Sequence, residues 1–407
     1  MRPKKQSVFT WGRLALGLSL LMSAASPSFA QPPALNAQQK AANTILVMPH
    51  KGADQDEIND ALKNADGTII KTMSNGRLTC YVVQVPPNEV QKAMSAISKD
   101  KKHFDGVQQN VLRKRNISIN DPLYPQQYGL QQMNVAAGLN LKADGKGISV
   151  GVIDSGVVEN NDLVGRVDTG YNTITGGAGN SDPTNGFQHG TFVSTCLAAT
   201  TNNNLFGAAA ANRAYIIPVN VFNGAEFTSD QDIIDALFYL EGRHVKLVNM
   251  SINSDVPNTF ANQSANPVTF QAFIDFYNQG GLIFNSAGND GQTDNSPRTQ
   301  YLIVISAINA NEKITNFSTR GTPLWFTAAG KNIVSSTATN TVEIADGTSF
   351  SSPYACSIAA SIWSRNPGLT NAQVLNLMVN TATKPPNYAA KRFGFGIPNL
   401  GAAVGSH

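Results

Sequence analysis

Five apolar runs of strand length, Ile148 to Ile153, Ala214 to Val219, Lys246 to Met250, Leu282 to Asn285 and Tyr301 to Ile305, punctuate the chain after residue 145. Helix-like segments such as Asp230 to Glu241 and Pro267 to Tyr277 lie between several of them. Runs this short and continuous are expected of strands buried on both faces. Alternation with helices then predicts an α/β fold: a mainly parallel sheet with helices packed on both faces. In such sheets functional groups gather just past the carboxyl ends of strands. Asp154 stands there, closing ISVGVID before a Ser-Gly turn. A carboxylate at that place costs desolvation unless a partner satisfies it, although a turn aspartate capping local amides is the plainer alternative. No G-x-G-x-x-G phosphate loop follows this strand, which argues against a nucleotide enzyme.

The front of the chain has a different character. Arg2, Lys4, Lys5 and Arg13 precede an apolar run from Leu14 to Ala25, and Ser28-Phe29-Ala30 closes it in the small-x-small pattern of an export signal. Residues 1–30 are read as a signal peptide cut after Ala30, giving a secreted or periplasmic product with no membrane attachment. Residues 1–115 hold 16 Lys and Arg against 8 Asp and Glu, whereas residues 116–407 hold 14 against 19. The basic excess belongs to the front, so nucleic-acid binding is a poor reading of the remainder.

Between these parts, from Thr44, strands, helices and strands follow in β-α-β-β-α-β order. The strands are Thr44 to Met48, Thr68 to Lys71, Leu78 to Val85 and an extended piece from Phe104 to Gln109, with helices near Asp56 to Lys63 and Glu89 to Lys99. This is the split βαβ pattern of a small α+β domain. It ends at the basic, polar stretch VLRKRNISINDP, which has the look of a processing linker.

Three stretches further along repeat the situation of Asp154, each carrying one reactive group at an element boundary. GFQHGTFVSTCLAAT offers His189 at a helix start, and LIFNSAGNDG presents Asn289 in a glycine-bounded turn after a strand. ADGTSFSSPYACSIAASIW sets Ser349 just ahead of a helix whose buried stripe is Ala355, Ile358, Ala359, Ile362 and Trp363, with Pro353 in its first turn. Taken singly, these residues read as a surface histidine, a turn asparagine and a helix cap. The cap reading is retained for Ser351 and Ser352.

Taken together and in order, VGVIDSGV, HGTFVSTCLAA, NSAGNDG and GTSFSSPYACS resemble the four signature blocks of subtilisin-like serine proteases. NDPLYPQQYGLQQMN, VNMSIN, ITNFSTRG and GFGIPNLGAAV are similar to further blocks of that family, so the resemblance covers roughly residues 118–405, and residues 44–113 resemble its inhibitory propeptide. The resemblance implies a secreted serine endopeptidase of subtilisin-like fold, with residues 31–115 as propeptide and 116–407 as peptidase domain. It implies Asp154, His189 and Ser349 as catalytic triad, in the chain order known for subtilisin, and Asn289 as oxyanion donor. Ser251, Ile252 and Asn253, with Ser286, Ala287 and Gly288, would line the primary substrate pocket. Expected partners are extended polypeptides and the chain's own propeptide as intramolecular inhibitor, and the enzyme is expected to act as a monomer on apolar or medium-sized residues.

No cofactor is needed for such chemistry and no metal ligand is assigned. Structural calcium stays open, with Asp162, Asp168 and Asp182 as candidates and Asn202 to Asn204 read as turn residues. Departures from the family pattern are Asn253 where glycine is usual, Phe192 where many members carry a second histidine, and Ala328-Ala329-Gly330 for a common Ala-Pro-Gly block. Of the three cysteines, Cys80, Cys196 and Cys356, the last two are read either as bonded to each other or as free buried thiols. A peptide-binding pseudoenzyme would lack one of the four reactive residues, and none is missing.

Overall fold

The computed structural model of the protein describes residues 43–111, 118–183, 187–253 and 260–405. The signal segment, the leader up to residue 42 and the linker around Arg115 and Asn116 lie outside the described residues. The chain divides into two compact units, residues 1–113 and 114–407. Among the described residues no helix is long and apolar enough to cross a membrane.

In the first unit the strands are β1 (Thr44–Pro49), β2 (Thr68–Ser74), β3 (Thr79–Gln84) and β4 (Phe104–Gln109). They form one antiparallel sheet in the order β2-β3-β1-β4. Helices Gln55–Asn64 and Val90–Lys99 cover a single face, burying Ile58, Leu62 and Ile97 on Ile45, Val47 and Val83. Asp54 starts the first helix by accepting from the backbone of Asp56 at 2.8 Å, which satisfies an amide with no partner inside the helix. The β-α-β-β-α-β order is the one read from the sequence, with β2 running on to Ser74.

The second unit is built on a seven-stranded sheet. Its strands are β5 (Ser149–Asp154), β6 (Tyr171–Asn172), β7 (Tyr215–Asn220), β8 (Leu247–Met250) and β9 (Leu282–Ser286), then, after the short β10 (Thr293–Asp294), β11 (Ile303–Ile308). Beyond the short β12 (Arg320–Gly321) comes the last of the seven, β13 (Leu324–Ala329). The order is β13-β11-β9-β8-β5-β7-β6, and every neighbouring pair is parallel. A hairpin of β14 (Ile333–Ser336) and β15 (Val342–Ala345) leads into the helix Thr348–Arg365.

Successive side chains alternate between two cores. Val150, Val152, Phe284 and Ile305 pack with the helices His189–Ala198 and Thr348–Arg365, whereas Ile153, Val248 and Ile283 pack with Asp230–Gly242 and Pro267–Asn278. Each strand is therefore apolar on both faces, the condition that makes its sequence a continuous run. The fifth run is displaced from its expected position: the strand begins at Ile303 and reaches Ile308 because the Tyr301 ring leaves the sheet to pack edge-on against Phe270 and Tyr277.

Strand order fixes where a site can form. From β5 the chain runs to the edge strand β6, fills the place between them with β7, then crosses to add β8 on the other side of β5. Such a reversal opens a crevice past the carboxyl ends of the strands at that point, and Asp154 ends β5 there.

Candidate active site

Asp154 is 1% exposed, and its buried charge is met by donors on two sides. The Ser155 N–H donates to Oδ1 at 2.7 Å, while His189 Nδ1 lies 2.8 Å from Oδ1 and 3.0 Å from Oδ2. With a carboxylate facing Nδ1, that nitrogen carries the proton and Nε2 is left as the acceptor. The approach depends on Gly190, where a Cβ would stand 2.2 Å from Gly156 O and 3.1 Å from the Asp154 Cβ. Any side chain there would push the histidine helix off the end of β5.

Burial pulls the His189 imidazolium's pKa down, but the charge and hydrogen bond of Asp154, with a further contribution from the charge of Asp182, outweigh it. The group titrates above the ordinary histidine range. Phe187 and Phe350 lie against the ring, at centroid distances of 6.2 and 5.8 Å. Phe192, where a second histidine is common in the resembled family, is 1% exposed and packs at 4.9 Å on Phe350. It is a packing residue.

Ser349 is the second residue of the helix Thr348–Arg365, inside the element and not just ahead of it. The helix is buried on all sides from Thr348 to Trp363, so the predicted stripe understates its contacts. Pro353 is an interior residue of the helix. Lacking an N–H, it leaves the carbonyl four residues earlier, that of Ser349, without its helical donor. The Ser251 hydroxyl supplies one at 2.7 Å. Ser251 in turn accepts from Asn249 Nδ2 at 2.9 Å, and Asn249 Oδ1 accepts from Ser352 Oγ at 2.7 Å. Ser352 is thus part of a buried network, and Ser351 Oγ donates to Ala329 O at 3.1 Å, so neither is a cap.

Asn289 is oriented by the residue next to Ser349. Its Oδ1 accepts from both Thr348 N and Thr348 Oγ1 at 2.9 Å. Since a backbone N–H only donates, the amide oxygen must face it and Nδ2 turns the other way. Nδ2 lies 3.7 Å from where a Cβ on Gly347 would stand. Thr348 Oγ1 also accepts from Gly288 N at 3.1 Å, which ties the turn after β9 to the serine helix. The sequence does not single out Thr348 and Ser155, which hold Asn289 and Asp154 by hydrogen bonds; each adjoins a candidate site residue inside one of the four blocks.

A cleft of about 650 Å³ opens at Asp154 and His189, lined with them by Phe222, Ile233, Phe260 and the segment Ser251 to Asn253. Ser286 and Ala287 are buried, at 1% and 5% exposure, and run alongside that segment. Ser286 Oγ donates across to Asn253 Oδ1 at 3.3 Å. Ser349 makes no hydrogen bond to His189 among the described residues; the Phe350 ring is what sets its helix against the imidazole. Such bonds are often long before substrate binds.

The match to the Subtilase family model spans residues 145–396. The chain belongs to the subtilase family. It is 28% identical over 269 residues to thermitase of Thermoactinomyces vulgaris, covering 65% of this chain and 91% of that one. It is 26% identical over 344 residues to a thermophilic serine proteinase of Bacillus sp. strain AK1, covering 84% and 82%. With subtilisin Savinase of Lederbergia lenta the identity is 27% over 283 residues, covering 68% and 98%. A solved protease structure from Pseudoalteromonas arctica superposes with a TM-score of 0.60 at 21% identity, over 71% of this chain and 99% of that one. The fold is subtilisin-like, and the protein is a serine endopeptidase.

The acidic residues considered as calcium ligands in this subtilase have protein donors. Asp162 accepts from Asn203 Nδ2 at 3.1 Å, Gly207 N at 3.2 Å and Ser336 Oγ at 3.2 Å. Asn202 and Asn203 give their N–H groups to Asp121, at 2.8 and 3.1 Å, in a turn where Asn202 and Asn204 have positive φ. Asp168 pairs with Arg243 at 3.1 Å, and Asp182 holds Ser155. Calcium takes about six to eight oxygen ligands, and the side-chain oxygens of these aspartates already accept from protein donors. Among the described residues no group of three or more His, Cys, Asp or Glu could hold a metal. Melting with and without excess chelator tests structural calcium directly: a drop on chelation, reversed by calcium, would place an ion on a set that includes backbone or amide oxygens.

Cys80, Cys196 and Cys356 are free, the last two buried. Burial pushes the Cys196 thiol up to about 12 and the Cys356 thiol upward as well, so neither is a nucleophile.

Proposed function

We propose that Ser349 is the nucleophile of an exported endopeptidase made as a zymogen. The chemistry needs a base because a serine hydroxyl is a weak nucleophile at neutral pH. His189 Nε2 removes the hydroxyl proton as Ser349 Oγ bonds to the peptide carbonyl carbon. Asp154 keeps the imidazole in the required tautomer and stabilises the imidazolium that results. The tetrahedral oxyanion is met by Asn289 Nδ2 and the Ser349 N–H. His189 then returns the proton to the leaving amine, and water repeats the sequence on the acyl-enzyme.

The observation that carries this reading is the hydrogen bond of His189 Nδ1 to a buried Asp154 at the switch point of the sheet, on the wall of the cleft. A fluorophosphonate probe should label Ser349 in the wild-type chain and label nothing in Ser349→Ala; equal labelling of both would end the proposal.

Asn289→Ala should lower kcat by about 10²–10³, the loss known for the equivalent donor in subtilisin, itself a member of this family. KM should change little, since the donor acts on charge that exists only in the transition state. A rise in KM at unchanged kcat would place Asn289 in ground-state binding instead.

Substrates are extended polypeptides, which bind such enzymes by main-chain pairing. Ser251 to Asn253 and Ser286 to Gly288 form the walls beside the scissile residue, and Phe222, Ile233 and Phe260 give the otherwise polar cleft an apolar stretch that suits apolar or medium-sized side chains. Residues 31–115 act as propeptide, with the split βαβ unit as inhibitor and folding assistant, and the chain cuts itself near Arg115 or Asn116 after export through the signal at 1–30. The mature enzyme works as a monomer.

A further inference from the structure

A second carboxylate lies buried next to Asp154, and the mechanism above leaves it unused. Asp182 is 8% exposed, and its Oδ2 accepts the Ser155 hydroxyl at 2.5 Å, the length of an O–H···O bond to an ionised acceptor. Ser155 bridges this carboxylate to the groups of the proposed triad. Its N–H holds Asp154 Oδ1 at 2.7 Å, and its Oγ accepts the Gly190 N–H at 3.1 Å.

A hydroxyl has one proton and can rotate it towards any acceptor. Asp182 takes that proton, so the remaining lone pairs are left for Gly190, the residue that follows His189. One side chain therefore joins the end of β5 to the first turn of the histidine helix, and Asp182 sets its direction. The segment that carries Asp182 is itself fastened to the site. Asn220 Nδ2 donates to Ser181 O at 3.1 Å, and Gln188 Nε2 donates to Asp182 O at 3.2 Å. Gly156, at φ +106°, permits the contact, since a Cβ there would stand 2.0 Å from Ser181 O.

We propose that Asp182 is a positioning residue for the peptidase reaction: through the Ser155 hydroxyl it fixes Asp154 and the histidine helix relative to each other, and it places a second negative charge beside the transition-state imidazolium. The inference rests on the triad reading. Asp154 from the end of β5 and Asp182 from the segment before the helix are the charged groups that act on His189, while Glu226 and Asp230 line the same cleft. Phe187 and Phe350 lie against the imidazole with uncharged rings. Of the four carboxylates, Asp154 and then Asp182 favour the imidazolium.

The test measures kcat, KM and the pH dependence of kcat/KM on a chromogenic peptide for wild type, Asp182→Asn, Asp182→Glu and Ser155→Ala, with fluorophosphonate labelling of each. Asparagine keeps an acceptor for Ser155 but not the charge. Asp182→Asn is expected to lose about tenfold in kcat, the equivalent of one charge-assisted hydrogen bond, with KM nearly unchanged. With one negative charge fewer, the imidazolium is less favoured and the acid limb of kcat/KM moves to lower pH. Asp182→Glu should recover part of kcat, and Ser155→Ala should lose kcat while its acid limb stays with wild type, because the carboxylate remains.

Wild-type kcat and acid limb in Asp182→Asn would overturn the inference, and so would a loss of kcat with the limb unmoved, which structural damage alone produces. Should Asp182→Asn fail to fold, Ser155→Ala and Ser155→Thr decide together: lower kcat at constant KM in the alanine variant with recovery in threonine, which keeps the hydroxyl, supports the proposal, and wild-type kcat in alanine or no recovery in threonine overturns it. Wild-type chain that the probe does not label at Ser349 would instead sink the triad reading on which all this stands.

Discussion

Ser349→Ala should reduce peptide hydrolysis by about 10⁶ in kcat, the loss known for the corresponding serine in subtilisin and taken from that relative, not from this geometry. The residue left, about 10³–10⁴ over water, comes from the oxyanion donors and substrate binding, which the substitution does not touch. Stability should change by no more than about 0.5 kcal/mol. The hydroxyl makes no hydrogen bond among the described residues, so its removal strands no partner, and the bond that anchors this turn runs from Ser251 to the Ser349 carbonyl, which alanine keeps. Three measurements check this: peptidase turnover, a denaturant melt and the size of the expressed chain. If the enzyme cuts its own linker, Ser349→Ala accumulates as an uncut precursor; normal maturation of the variant would assign that cut to another protease. A melt shifted by several degrees would mean that the lost activity reports unfolding.

Much of this was legible in the sequence for a definite physical reason. Parallel strands buried on both faces must be continuous apolar runs, so β5, β7, β8 and β9 are expected within a residue or two of where they lie. The reactive residues sit at strand ends and helix starts, where glycine and small residues punctuate the pattern. Other features depend on contacts between distant segments. Pro353 reads as a first-turn proline because nothing local shows that Ser251 takes over the orphaned Ser349 carbonyl. Ser351 and Ser352 read as caps for the same reason, their acceptors Ala329 and Asn249 being remote in the chain. The role of Thr348 was invisible too, since only the fold brings Asn289 within reach of its hydroxyl. Tyr301 shows the limit for strands: its apolarity extends the run, but its ring serves the neighbouring helix. In the sequence Asp182 reads only as a possible cation ligand, because a lone aspartate in a polar loop carries no sign of the serine it binds.

Asp154→Asn should cost about 10⁴ in kcat, the loss measured for this change in another serine protease triad. The argument is one of tautomers. A carboxylate only accepts, so it keeps the proton on His189 Nδ1 and leaves Nε2 basic. An asparagine can turn its amide N–H toward Nδ1, which favours the proton on Nε2 and removes the base from the face where Ser349 must lose its hydrogen. The pH dependence follows from the same contact. Burial alone would lower the His189 pKa, and the charge of Asp154 is the main reason it stands above the ordinary range. In Asp154→Asn burial is opposed only by the more distant carboxylates, so the acid limb of the residual kcat/KM should move to lower pH. The linkage has the opposite sign for stability. A histidine whose folded pKa is raised contributes stability that is complete below its unfolded value and is lost as pH rises through the folded one. Wild type therefore becomes active over the same window in which this contribution disappears, and melts taken through it should show stability falling while kcat/KM rises. Asp154→Asn should flatten that slope. A wild-type slope in the variant, or an acid limb that stays in place, would mean that His189 is held by something other than Asp154.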